Sequence, residues 1–336
     1  MISGERAYLY AKSCGIIGKS FVSKRLNALS QVSSLKELND LIFPGEKNSD
    51  DDPGLLEKKI TARSIKAILA IAASFRRTPE ILVLLIRSYE YADLKRVLAA
   101  FCAGEQKAPS HTDLGRFSTV NFAAYPDLKI MLKRTEFEFL LKKNIEFGKI
   151  ANMDAFNVSL DKQYYIKLLK ILSVIPKNDC IGSRQLFGEE IALMNCWLSL
   201  RLRSYYGMNE SEIDSHLING KLDKQGKSLS SDAKASLVMS LDHFADWQNW
   251  SRKSLLNTES SGRFWKCDPR YVQNASLVYL YDLARRNFKN RPFTLDTACC
   301  FIRLKQFEEQ VLTGLAEGIK LKLSALDVLK IMGVRL

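Results

Sequence analysis

Gly18-Lys19-Ser20 closes the stretch Ser13-Cys14-Gly15-Ile16-Ile17-Gly18-Lys19-Ser20 with the ending of a phosphate-binding loop. In such a loop successive backbone N–H groups wrap the phosphates, the lysine reaches them, and the hydroxyl meets magnesium. The wrap needs a glycine five residues before Gly18, and that position is Ser13. The loop must also follow a buried strand. Glu5 to Lys12 (ERAYLYAK) is too charged for one, and no apolar strand ending in Asp follows downstream. The stretch is therefore expected to be helical, with Tyr8, Leu9, Lys12, Ile16, Lys19 and Ser20 on successive turns. Lys19 and Ser20 are expected to face solvent or a protein neighbour.

Other reactive groups are no better arranged. The carboxylate pairs Glu189-Glu190 and Glu308-Glu309 are adjacent, and neighbours on a helix point about 100° apart, so they do not converge on one substrate atom. Surface solvation is the expectation for them. Seven cysteines occur with no CxxC, and Cys299-Cys300 is not a useful disulfide for the same angular reason. An odd cysteine count without pair spacing argues against a disulfide scaffold and a zinc site, and for a reduced, cytoplasmic setting. His111, His216 and His243 form no ligand spacing. The chain is read as non-enzymatic: no catalytic residue, no metal and no cofactor are expected.

The elements that would position any site are helices. Apolar residues make up 46% of the 336 and charged residues 26%, with only 17 Gly and 8 Pro, the profile of a globular chain poor in turns. The apolar runs Ala67–Ala73 and Ile81–Ile86 are far short of the roughly 20 residues that span a bilayer. No secretory leader is read at the N-terminus, where Glu5, Arg6 and Lys12 interrupt any apolar core. Leu55 to Arg77 has helical spacing. Thr78-Pro79-Glu80 then reads as a restart, with Thr as N-cap and Pro at the first helical position, and Gly104 as a C-cap. Polar, turn-rich loops are predicted at Pro44–Gly54, Ala103–Ser118 and Gly220–Asp232. The net charge of +13 is spread along the chain with no basic tail. Nucleic-acid binders usually gather their charge on one patch, so no nucleic-acid partner is expected, and the charge also suits an acidic protein partner or an anionic membrane surface.

Internal similarity at long period is the most informative pattern. Three segments begin at Leu56, Leu160 and Leu277, and Glu90, Ala192 and Glu308 follow 34, 32 and 31 residues later. Each second helix is expected to end in a glycine-containing stretch: Ala103-Gly104, Tyr206-Gly207 and Glu317-Gly318. The predicted repeats are 1–118, 119–226 and 227–336, each built on a helical hairpin. Glu90 and Asp93 sit three apart, flanked by Arg87 and Arg96, inside an otherwise apolar helix. Burial of such groups unpaired would be costly. In the second segment Asn195 takes the register of Asp93 and is followed by Arg201 and Arg203. Arg87, Glu90, Asp93, Asn195, Arg201, Arg203 and Glu308 are the candidate site residues, as partner contacts or as inter-helix polar links.

Tyr89-Glu90-Tyr91-Ala92-Asp93-Leu94-Lys95 resembles the Tyr-Asp-x-x-Asn-Leu-Lys segment of the C subunit of bacterial and archaeal A/V-type ATPases, the counterpart of the d subunit in eukaryotic V-ATPases. The opening YLYAKSCGIIGKSFVSKRLNAL and the closing Tyr271–Gly318 are also similar to that family. The family's acid is Glu90 in the first repeat, Ala192 in the second and Glu308 in the third, and its Asn survives as Asn195 but is Val311 in the third. The resemblance implies an all-α fold of three similar helical domains arranged as a pseudo-threefold funnel. It implies a coupling role without chemistry, between the D and F subunits of the central shaft and the proteolipid rotor ring. Other rotary-ATPase subunits would be its partners, at the cytoplasmic face of the membrane, in ion transport. The alternative is an unrelated helical-repeat adaptor for a protein or nucleic-acid partner.

Overall fold

The computed structural model describes residues 3–21, 25–46, 52–143, 145–149, 153–222, 226–257 and 264–334. Among the described residues there are helices and loops but no strand, so the fold is all-α. The α-helices in chain order are α1 (Ser3–Gly18), α2 (Leu26–Leu29), α3 (Leu35–Ile42), α4 (Pro53–Ala72), α5 (Glu80–Cys102), α6 (Leu128–Leu132), α7 (Met153–Val174), α8 (Ile181–Tyr206), α9 (Glu210–His216), α10 (Ser231–Leu237), α11 (Pro269–Asn290), α12 (Leu295–Lys320) and α13 (Ala325–Ile331).

Helix starts are written locally. Asp52-Pro53 and Asp268-Pro269 open α4 and α11 in the same way: the Asp carboxylate accepts the N–H of Gly54 or Arg270, and Pro takes the first turn, where its missing N–H costs nothing. Asn209 and Glu212 form a reciprocal capping box on α9. The restart expected at Thr78 is displaced by one residue. Pro79 itself precedes α5 and no side chain caps the helix, while the Thr78 hydroxyl accepts a bond from Arg116 Nη2 at 3.2 Å.

Helix ends are less uniform. Gly207 closes α8 in the left-handed region with φ +61°, as the sequence predicts. Gly318 does not close α12, which runs on to Lys320. A Cβ at Gly318 would lie 2.2 Å from Val328 Cγ2, so this glycine is there to admit α13 rather than to end a helix. Its expected role as a helix end is corrected by that close packing. Of the predicted loop 44–54, residues 47–51 lie outside the described residues.

The chain divides into two compact units, residues 1–75 with 172–336, and residues 76–171. In the first unit α12 is the central element and packs against α1, α3, α4, α8, α11 and α13. Phe21, Leu29, Leu38, Leu56 and Ile60 share one core with Val311, Leu312, Leu315, Val328 and Leu329, so both chain ends bury the same apolar surface. A second core in this unit gathers Trp247, Trp250 and Trp265 against Leu193, Cys196 and Leu200 of α8. In the second unit Tyr91 of α5 meets Phe137 and Tyr164 edge-on, with ring centroids 4.7 and 5.3 Å away. Its hydroxyl donates to Glu136 Oε2 at 3.1 Å, and Lys167 Nζ donates to the same oxygen at 2.7 Å.

Candidate functional site

The phosphate-loop lookalike lies on α1, which runs through Gly18. Lys19 is exposed, as expected, but Ser20 is buried. The Ser20 hydroxyl donates to Glu308 Oε2 at 3.1 Å, which corrects the solvent-facing expectation. Its hydroxyl is already engaged inside the protein.

The polar residues of the long helices face loops. Glu90 of α5, fully buried, accepts four hydrogen bonds. They come from the Ser118 hydroxyl at 3.1 Å, the Thr119 hydroxyl at 2.7 Å, the Thr119 N–H, and the Val120 N–H at 2.8 Å. Asp93, one turn on, accepts the Thr112 N–H at 2.6 Å and pairs with Arg96. Arg87 donates through Nε to the Phe117 carbonyl at 3.0 Å and lies 3.6 Å from Glu136. One face of α5 thereby holds the segment from Thr112 to Val120. The N–H groups of Thr112, Thr119 and Val120 find acceptors on buried carboxylates.

Asn195 of α8 does the same work with both ends of an amide. Its Oδ1 accepts the Ile218 N–H at 2.9 Å, and its Nδ2 donates to the carbonyls of Ile218 at 3.0 Å and Leu229 at 3.1 Å. Arg203 donates to the carbonyls of Ser236, at 3.2 Å, and Met239 beyond α10. Arg201 is exposed.

Glu308 of α12 holds the other end of the chain. It accepts the Phe21 N–H at 2.8 Å besides the Ser20 hydroxyl, pairs with Lys305 one turn before it, and lies 3.5 Å from Arg63 of α4. Glu308 and Lys305 are 1% and 2% exposed, so this is an ion pair kept from water. Burial pulls the Lys305 ammonium below its usual range, against the attraction of Glu308. Within the second unit Arg87, Glu90 and Asp93 share one face of α5. Within the first unit Asn195 and Arg203 hold loops from α8, Glu308 holds the turn after α1, and Arg201 stands exposed.

Several partners were not visible in the sequence. Ser20 and Phe21 lie 288 and 287 residues from Glu308, and no local pattern links them. Asp296 at the start of α12 accepts the N–H of Gly182, at 2.8 Å, and of Ser183, serving as the cap that the first turn of α8 lacks from its own Cys180. The carboxylate pairs diverge as their angle requires, but not into solvent. Glu189 pairs with Arg252 at 2.6 Å, Glu190 with Arg303 at 2.7 Å, and Glu309 accepts from the Thr61 hydroxyl at 2.8 Å. Arg252 also reaches Asp232 at 2.8 Å. Burial pushes the Cys196, Cys267 and Cys299 thiols up to about 12, so they are not nucleophiles near neutral pH. All seven cysteines are free.

Among the described residues no group of three or more His, Cys, Asp or Glu could hold a metal ion, and no helix is long and apolar enough to cross a membrane. The chain is 26% identical over 322 residues to an uncharacterized protein of Treponema pallidum (strain Nichols), covering 93% of this chain and 92% of that one. The family described as ATP synthase (C/AC39) subunit matches residues 15–330. The buried polar faces of α5, α8 and α12 and the closing α11–α12 pair all fall within that match. The chain belongs to the ATP synthase (C/AC39) subunit family, as a component of the A/V-type ATPase.

Proposed function

We propose that this chain is the non-catalytic central-stalk subunit that links the D and F shaft to the proteolipid rotor ring, at the cytoplasmic face of the membrane. In this reading torque passes through it between ATP turnover in the soluble head and ion movement in the membrane. The observation that carries the reading is the family match over residues 15–330. Three helical repeats, 1–118, 119–226 and 227–336, would be arranged about a pseudo-threefold axis as a funnel. A buried polar residue that binds a loop recurs on the second long helix of each predicted repeat, at Glu90, Asn195 and Glu308, which supports a repeated hairpin. Those three residues and Asp93 serve the stiffness that torque requires and leave partner contact to other surfaces.

Co-purification tests the reading. The tagged full-length chain, extracted from membranes in mild detergent at low salt, is expected to bring the shaft subunits and the ring with it. Recovery of the chain with no rotary-ATPase subunit would refute it. Recovery with the soluble head alone would refute the ring link.

A further inference from the structure

The turn between α11 and α12 carries chemistry that the loop-holding residues do not explain. Residues 283–294 (LARRNFKNRPFT) carry four cations and no acid, between Asp282 and Asp296. Arg285 lies over the Tyr281 ring, 6.0 Å from its centroid. Arg286 and Lys289, one turn apart, are exposed. Arg291 follows, its Cδ 3.2 Å from the place a Cβ would take at Gly182. Cations at a helix C-terminus complement its dipole, and alone they would need no further reason.

Phe293 is different. Its φ is +65°, and a bulky side chain in the left-handed region is a genuine outlier. The side chain so placed is 47% exposed. It is nevertheless held: Tyr10 meets the ring edge-on at 5.3 Å, and the Phe293 carbonyl accepts a bond from Arg6 Nη1 at 3.3 Å. Arg6 is itself fixed by Asp179 at 3.0 Å. Gly or Asn would relieve the backbone and expose no ring. Backbone strain that the surroundings sustain collects where a surface binds something.

We propose that this turn docks an acidic segment of a neighbouring protein, whose carboxylates pair with Arg286, Lys289 and Arg291 and whose apolar socket receives Phe293. Three cations, two of them exposed, outnumber the flanking Asp282 and the buried Asp296, and this net positive charge favours an acidic partner. A rigid aromatic beside arginines is the composition of an interface hot spot. An anionic bilayer is the poorer occupant, because one half-exposed ring and three cations give only a weak, reversible anchor. The inference rests on the proposed function only for the partner's identity, which would then be another subunit of the ATPase.

The test is photo-crosslinking in cells, with p-benzoylphenylalanine replacing Phe293 in the full-length chain. The expected adduct joins a peptide rich in Asp and Glu from another ATPase subunit. Arg286→Glu/Lys289→Glu/Arg291→Glu should lower its yield about tenfold or more. Phe293→Gly should melt close to the wild type, because relief of the backbone offsets the lost Tyr10 contact, yet lose the same partner. An acidic adduct from a protein outside the ATPase keeps the docking turn and overturns the proposed function. A lipid adduct, an acid-free peptide, or no adduct from a chain that still co-purifies with the ATPase overturns the docking turn alone. No adduct and no co-purification overturns both.

Discussion

Glu308→Ala should be among the most damaging single substitutions in this chain. The carboxylate is 1% exposed and holds the Phe21 N–H, the Ser20 hydroxyl and the Lys305 ammonium together. Its removal leaves Lys305, itself 2% exposed, without its nearest counter-ion. Breaking a buried pair from one side costs about 3–5 kcal/mol. The orphaned Phe21 N–H alone would cost about 1–3 kcal/mol, and the two overlap because they share one network. A loss of about 4 kcal/mol lowers the melting temperature of a unit this size by roughly 10 °C. Removing both charges, as in Lys305→Met/Glu308→Leu, leaves the Phe21 N–H orphaned while the Ser20 hydroxyl keeps the Ile16 carbonyl at 3.3 Å, so the double variant should cost about 1–3 kcal/mol, less than Glu308→Ala. Thermal melts followed by far-UV circular dichroism read the order of the two variants. Hydrogen exchange reads the place, because the amide of Phe21 should lose its protection in both. The reasoning is refuted if the double variant is no more stable than Glu308→Ala, or if Phe21 stays protected without the carboxylate.

Two glycines should respond in opposite directions. Gly318→Ala drives a methyl into Val328 and should cost about 1–3 kcal/mol by overpacking, whereas Gly15→Ala, helical with nothing within 4 Å, should gain up to about 1 kcal/mol; paired thermal melts check the signs. Asp232 titrates below its usual range, because bonds from Lys227, Arg252 and Ser251 outweigh the opposing effect of burial. Its folded pKa is depressed, so its contribution is present above the unfolded value near pH 4 and is lost as pH falls through the folded one. Asp232→Asn should therefore flatten the acid side of the stability curve below about pH 4, and urea midpoints measured from pH 2 to 7 would show no such flattening if the ion pairs were idle.

The helices were legible because their signals are local. The helical spacing after Leu55 and the glycine at 207 are of this kind, whereas the Asp-Pro start of α4 fell inside the predicted loop 44–54 and the caps of α9 and α11 went unread, though each acts within a few residues. The polar positions were legible as types but not as roles. Glu90 and Asp93 stand out inside an apolar helix, yet nothing in their neighbourhood names Thr112, Ser118 or Thr119 as donors, because the loop between has no period. Gly318 failed for a related reason. A glycine near the end of a helix satisfies the local rule for a cap, and only the packing of α13 shows that it is a contact instead. Ser20 was misplaced because its acceptor lies at the other end of the chain.

The irregularity of the family-like positions has a physical explanation. The helix must offer a buried acceptor to a loop N–H, and more than one side chain can do so. A carboxylate serves Val120 and Phe21, and an amide serves Ile218 while also donating to two carbonyls. Asn195 thus replaces a charge without leaving an N–H unmet, which is why Ala192 can stand at the acid's register in α8. In α12 the acid is kept, and Val311 joins the core with Leu312 and Leu315. The loop held there is the one after α1, so the third face is closed by the opening residues of the chain. Cutting the chain before Phe21 would then strip Glu308 and Lys305 of the cover that keeps water from them, and should unsettle α12 more than any loss of α1's own helical bonds would suggest.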